Sequence, residues 1–200
     1  MRNSRKPTRA RFNALVLAAA GAALLGACVF SGRMIYRESF QDNYSHDQLM
    51  AFNGGKQMRL DLHGNPFPAS DGVVAAHLSK AMHGHNDGLP IDFTATPGPG
   101  TFEHSRIVVL FQPPPSAIGR TVCDGTTLAG VDPGAGGEGG VEALMAFCWR
   151  GGERSSLRVR MGAISGPQDP VFDAMIGRAT NRLLPFKNPF SGSETCAPNC

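Results

Sequence analysis

Between residues 57 and 185 the chain switches between a hydrophobic period of two and one near 3.6. Over Gln57–His63, Met58, Leu60 and Leu62 alternate with Arg59, Asp61 and His63, which predicts a half-buried strand. Gly64-Asn65-Pro66 ends it. Ser70, as an N-cap with Asp71 in the first turn, opens a helix over Asp71–Met82, with Val74, His77, Leu78 and Met82 on one stripe and Lys80 off it. Gly84 and Gly88 close that segment. Residues 91–95 are a short strand candidate, broken by Pro97-Gly98-Pro99-Gly100. The continuous run Ile107-Val108-Val109-Leu110 within residues 106–111 predicts a central strand covered on both faces. Pro113-Pro114-Pro115 then stops pairing, because proline has no N–H to give to a ladder.

Residues 130–140 hold six glycines and a proline, the composition of a mobile loop. Val141–Trp149 fits two readings. Its Ala, Leu, Met and Glu favour a helix, while Val141, Ala143, Met145, Phe147 and Trp149 also alternate. Beyond Gly151-Gly152, Leu157, Val159 and Met161 alternate with Arg158 and Arg160, so a hairpin is the economical account of the two runs. Asp169-Pro170 starts a last helix with proline in its first turn. Val171, Phe172, Met175, Ile176, Ala179, Leu183 and Leu184 form its apolar face, and Pro185 ends it.

The order strand, helix, four strands, helix predicts an α+β domain over residues 57–185. Its expected form is two layers, a mostly antiparallel sheet of about five strands with two helices on one face. Residues 29–56 show no sustained period and read as a tether, and residues 186–200 as an extended tail.

The N-terminus changes this picture. Arg2, Arg5, Lys6, Arg9 and Arg11 make a basic segment without an acidic residue, followed by an apolar stretch over residues 14–25. It ends in Leu25-Gly26-Ala27-Cys28, which resembles the lipobox of bacterial lipoproteins at all four positions. That resemblance implies a signal peptide over residues 1–27, diacylglycerol on the Cys28 sulfur, cleavage before Cys28 and acylation of the new amino group. Residues 28–56 then carry the lipid and the tether. Two or more acyl chains, each gaining about 0.8 kcal/mol per buried CH₂, anchor far more firmly than one. An uncleaved signal anchor is the alternative: residues 12–30 number 19, near the lower limit for a span, but Asn13 and the Ala/Gly content weaken it. Both put the basic end inside and the domain outside, in the cell envelope. Val29, where inner-membrane lipoproteins of well-studied diderm bacteria carry Asp, implies the outer membrane by the same resemblance.

The chain's net charge of +3 comes from 19 basic and 16 acidic residues. Five of the basic residues sit in the leader, which leaves 14 against 16, or −2, beyond it. A nucleic-acid partner therefore loses its support.

With Cys28 assigned to lipid, Cys123, Cys148, Cys196 and Cys200 remain, an even number that reads as disulfides in an exported protein. Three connectivities are possible, and the preferred pairs are Cys123 with Cys148 and Cys196 with Cys200.

Candidate chemistry is sparse. His83-Gly84-His85-Asn86-Asp87 resembles part of the metallo-β-lactamase metal motif, but that family has a further His where Gly88 stands, and its motif follows a strand rather than a helix. His83, His85 and Asp87 are thus a weak metal candidate beside a polar turn. His77 reads as a core histidine; His63 and His104 have no evident partner, and His46 falls in the tether. Gly134, Gly136, Gly137, Gly139 and Gly140 lack the strand and helix that a phosphate-binding loop requires. No nucleophile motif or cofactor fingerprint appears. Arg158 and Arg160, with Arg150 and Arg154 nearby, form either a solvated strand face or a basic patch for an anionic partner. Phe147 and Trp149 read as core. The expected function is a lipid-anchored, non-catalytic accessory or protein-interaction module. The alternatives are a small-ligand carrier or sensor, with its ligand between sheet and helices, and a metal-dependent enzyme using His83, His85 and Asp87.

Overall fold

The computed structural model describes residues 32–128 and 140–191. The leader, Cys28, most of the glycine-rich segment, and the pair Cys196 and Cys200 lie outside the described residues. The elements run β1 (Met34–Phe40), α1 (His46–Asn53), β2 (Gln57–His63), α2 (Asp71–Met82), β3 (Asp92–Thr94), β4 (Ser105–Phe111), α3 (Gly119–Cys123), β5 (Val141–Trp149), β6 (Gly152–Gly162) and α4 (Pro170–Leu183).

The strands form one mixed sheet in the order β1-β6-β5-β4-β2-β3. The pairs β1–β6, β6–β5 and β5–β4 are antiparallel, and β4–β2 and β2–β3 are parallel. The fold is α+β with a mostly antiparallel sheet. Its parallel half arises because α2 carries the chain back between β2 and β3, and the loop after β3 passes β2 to reach β4.

One face of the sheet carries the main core. Ile107, Val109 and Phe111 of β4 alternate with Val108 and Leu110, and the first three pack with Met145 and Phe147 of β5 and Leu157 and Val159 of β6. Val74, Leu78 and Met82 of α2 and Phe172, Ile176 and Leu183 of α4 close over them. Phe111 and Phe172 stack at 6.3 Å between ring centres. The Asp169 carboxylate caps α4 by accepting the Val171 N–H at 2.9 Å, beside Pro170. Ser70 occupies the α2 N-cap without a side-chain bond; Asn65 organises that turn instead, donating to the Ala69 carbonyl and to Asp71.

Val141–Trp149 is a strand, paired on both sides, by β4 and by β6. The hairpin to β6 turns through Arg150 and Gly151, with φ of 51° and 76°, so both central residues take the left-handed conformation that a tight two-residue hairpin turn needs.

Three expectations are corrected. The segment read as a tether supplies β1, an edge strand of the sheet, and α1, so order begins near residue 34 rather than 57. Among the described residues the sheet has six strands, where about five were expected, and four helices accompany it rather than two. The domain also has more than two layers, because α3 covers the other face. There Ala117, Val122 and Cys123 pack on Val108, Leu110, Leu144, Ala146 and Cys148. Cys123 and Cys148 form a disulfide that fastens α3 to β5, with 5.4 Å between their Cα atoms. Among the described residues no helix is long and apolar enough to cross a membrane.

Candidate functional site

The polar chemistry of the domain gathers on that second face, where β1 and β6 run past α3. In β6, Leu157, Val159 and Met161 turn to the main core, which leaves Arg158 and Arg160 for the other face. Upstream the count slips. Phe147 lies opposite Ser155 but Cys148 lies opposite Glu153, so Arg154 is one residue too many. This bulge brings Glu153 and Ser156, three positions apart, to the same face. β1 slips beside it: Tyr36 lies opposite Arg158 and Ser39 opposite Ser156, while Arg37 is held at φ 51°. A left-handed conformation is uncommon for a residue with a Cβ, and such strain tends to be stored where a side chain must be aimed.

Glu142 of β5 organises one half of this face. Its carboxylate accepts Arg158 Nη1 at 2.8 Å, Arg160 Nη2 at 3.0 Å and the Tyr36 hydroxyl at 2.5 Å. Burial pushes the Glu142 carboxyl up, but the hydrogen bonds from Tyr36, Arg158 and Arg160 outweigh it and hold the group below the ordinary glutamate range. Arg158 is only 4% exposed. Its Nη2 donates to the carbonyls of Pro114 and Ala117, both at 2.8 Å, and so pins the proline-rich connector over the sheet. The four arginines, read as either a solvated strand face or a basic patch, do not act as one group: Arg158 and Arg160 are paired on Glu142, Arg150 sits in the hairpin turn, and Arg154 belongs to the bulge.

Under the pinned connector and α3 lies a cavity of about 360 Å³, bounded by β1, β5 and β6. Arg37 and Ser39 line it from β1, Glu153, Ser156 and Arg158 from β6, and Ile118 and Arg120 from the α3 side. The Glu153 side chain accepts the Ser156 hydroxyl at 2.6 Å. Gly119 is packed so closely that a Cβ there would fall 2.4 Å from the Glu153 carboxyl and 2.5 Å from the Ser156 Cβ. A larger residue would lift α3 from its seat. Its described lining offers charge and hydrogen bonds, with the Ser156 hydroxyl paired to the Glu153 carboxylate.

A second cavity, about 480 Å³, opens along β2. Asp61 accepts Arg59 at 2.5 Å and faces Arg106 at 3.3 Å. Burial lowers the pKa of His63 at its rim, and the charges of Arg106 and Arg59 add to this against the opposing Asp61.

The metal candidate separates. His83 Nδ1 lies 3.2 Å from Asp92, the His85 ring lies where a side chain on Gly177 of α4 would go, and the Asp87 carboxylate accepts the Phe186 N–H at 2.9 Å. Among the described residues no three His, Cys, Asp or Glu side chains come together in a way that could hold a metal ion. The turn exists for backbone reasons: Asn86 donates to the carbonyls of Asp87 and Leu89 and accepts the Ile91 N–H. His77 is half-buried on α2, and His104 lies beside Glu103 and the Phe102 ring. His46, expected in the tether, is buried in α1, with its Nε2 3.1 Å from the Asp87 carbonyl. Between the sheet and the long helices, where a carried ligand was considered, the side chains of the main core pack together.

Sequence reasoning did not identify Glu142, Glu153, Arg37 or Arg120. The lone Glu142 in an apolar run, Val141-Glu142-Ala143-Leu144, was the available signal. Comparison of the chain with protein-family models, with curated proteins and with solved structures finds no match.

Proposed function

We propose that this protein is an exported envelope lipoprotein, anchored through lipid on Cys28, whose α+β domain is a non-catalytic accessory or interaction module. The observation that carries the reading is Leu25-Gly26-Ala27-Cys28 behind a basic and then apolar leader. The Cys123–Cys148 disulfide supports it, since such bonds persist in oxidising compartments outside the cytoplasm. His83 and Asp87 are engaged in the turn's own contacts, with Asp92 and with the Phe186 N–H. Val29 after the lipidated position favours the outer membrane.

The test is crosslinking in intact cells through a C-terminal tag, with mass spectrometry of what co-purifies from the solubilised envelope. The reading expects one dominant envelope partner, lost when Cys28→Ala releases the protein from its membrane. A protein that stays in the cytoplasm, or whose Cys28→Ala variant keeps the same membrane fraction and partners, contradicts it.

A further inference from the structure

We propose that the cavity beneath α3 binds a small zwitterion, its ammonium group on Glu153 and its anionic end on Arg37 and Arg120. This rests on the binding-module part of the reading above and is independent of the lipid on Cys28.

Glu153 is the starting point. Its residue is 9% exposed, and among the described residues its carboxyl group accepts one hydrogen bond, from the Ser156 hydroxyl. No Lys, Arg or His lies within ion-pair distance of it among the described residues. Arg158, which lines the same cavity, is already committed to Glu142 and to the carbonyls of Pro114 and Ala117. What exposure Glu153 keeps is into the cavity, and a mostly buried carboxylate without a cation is a place where a partner from outside gains by pairing with it. An ammonium group entering the cavity supplies the missing charge, and the Ser39 and Ser156 hydroxyls offer further hydrogen-bonding capacity beside it.

The other end of the ligand follows from the charges at the cavity wall. Arg37 and Arg120 are exposed, line the cavity, and make no ion pair among the described residues. Arg37 sits at the β1 bulge in a strained left-handed conformation, so the backbone bears a cost to hold it there. Two guanidinium groups with one buried carboxylate complement a molecule with a cationic group at one end and a carboxylate or phosphate at the other. The volume, about 360 Å³, lies in the range of small-molecule sites.

The test uses the full chain in detergent and isothermal titration calorimetry. The probes are the ω-amino acids from glycine to 6-aminohexanoate, each with its N-acetyl and its carboxamide counterpart. The proposal expects at least one amino acid to bind saturably at one site, and each counterpart to bind at least tenfold more weakly. Glu153→Gln should weaken the amino acid tenfold or more while leaving the N-acetyl counterpart unchanged. Arg120→Ala, at an exposed position that leaves the fold intact, should weaken the amino acid and leave the carboxamide unchanged. Absence of binding across the whole series overturns the proposal, as does equal affinity for an amino acid and its N-acetyl counterpart. Inorganic phosphate binding equally to the wild type and to Glu153→Gln, with no amino acid bound, would mark a plain anion site and also overturn it. None of these outcomes alters the expected processing at Cys28, which is read separately from the mass of the mature N-terminus.

Discussion

Replacing Arg158 with methionine keeps most of the aliphatic stem and removes the guanidinium that joins three elements. The Arg158 side chain is 5% exposed and that of Glu142 18%, so solvent screens the pair little. Removing one partner of a buried pair costs about 3–5 kcal/mol. The Ala117 carbonyl loses its bond from Arg158 as well, and the Pro114 carbonyl is left with the Ala117 N–H. Glu142 keeps Arg160 and Tyr36, which limits the charge left uncompensated and places the loss at the lower end, about 3 kcal/mol. With a urea slope of about 2 kcal/mol per M for a domain of this size, the unfolding midpoint should fall by about 1.5 M. Arg160→Met is the control. That side chain is 43% exposed in its pair with Glu142, and its loss should cost less than about 1 kcal/mol. A loss below about 1 kcal/mol for Arg158→Met, or equal losses for the two variants, would refute the view that Arg158 ties the connector to the sheet.

Three further outcomes follow from the same face. Cys123→Ser with Cys148→Ser should lower stability by about 3.5 kcal/mol on the chain-entropy estimate for a separation of 25 residues, read from urea midpoints under non-reducing conditions. Gly119→Ala should cost about 1–3 kcal/mol by overpacking against Glu153 and Ser156, whereas Gly72→Ala in α2, with open space around it, should cost nothing or stabilise slightly; thermal melts of the two variants make the comparison. The folded-state pKa of Glu142 is depressed, so its contribution to stability is present above its unfolded value of about 4.3 and disappears as pH falls through the folded one. Urea midpoints between pH 7 and pH 3 should therefore fall further for the wild type than for Glu142→Gln, and parallel curves would contradict this.

The elements legible in the sequence are those whose side-chain period runs unbroken. Ile107 to Leu110 announced the central strand, because each residue keeps its place in an uninterrupted ladder with β5. The Leu157, Val159, Met161 alternation announced β6, because all three side chains turn to the main core although Met161 falls at a register shift. β1 escaped notice because its bulge puts Ile35 and Phe40, five positions apart, against the same core and breaks the alternation. α1 escaped because its buried stripe is His46, Leu49 and Asn53, polar at two of three places. Asn53 is tied into the core by donating to the Leu49 carbonyl and accepting the Ser105 hydroxyl. α3, five residues long, is too short to show a helical period. The parallel half of the sheet depends on which strand the loop after β3 passes, which local pattern does not encode. The cavity beneath α3 was hidden for a related reason. Arg37, Arg120 and Glu153 are far apart in the chain and meet only through two adjacent bulges and a disulfide-held helix. Arg158 and Arg160 were seen as one strand face, yet their pairing needs Glu142 from the neighbouring strand.

The central claim is anchorage through Cys28, and mass spectrometry of the mature N-terminus tests it most directly. Protein purified from the membrane fraction in detergent should begin at Cys28, with the mass of a diacylglyceryl group on its sulfur and an acyl group on its amine. Cys28→Ala should carry neither and should leave the lipidated fraction. A mature protein that retains residues 1–27, or that begins elsewhere without lipid, would contradict the account.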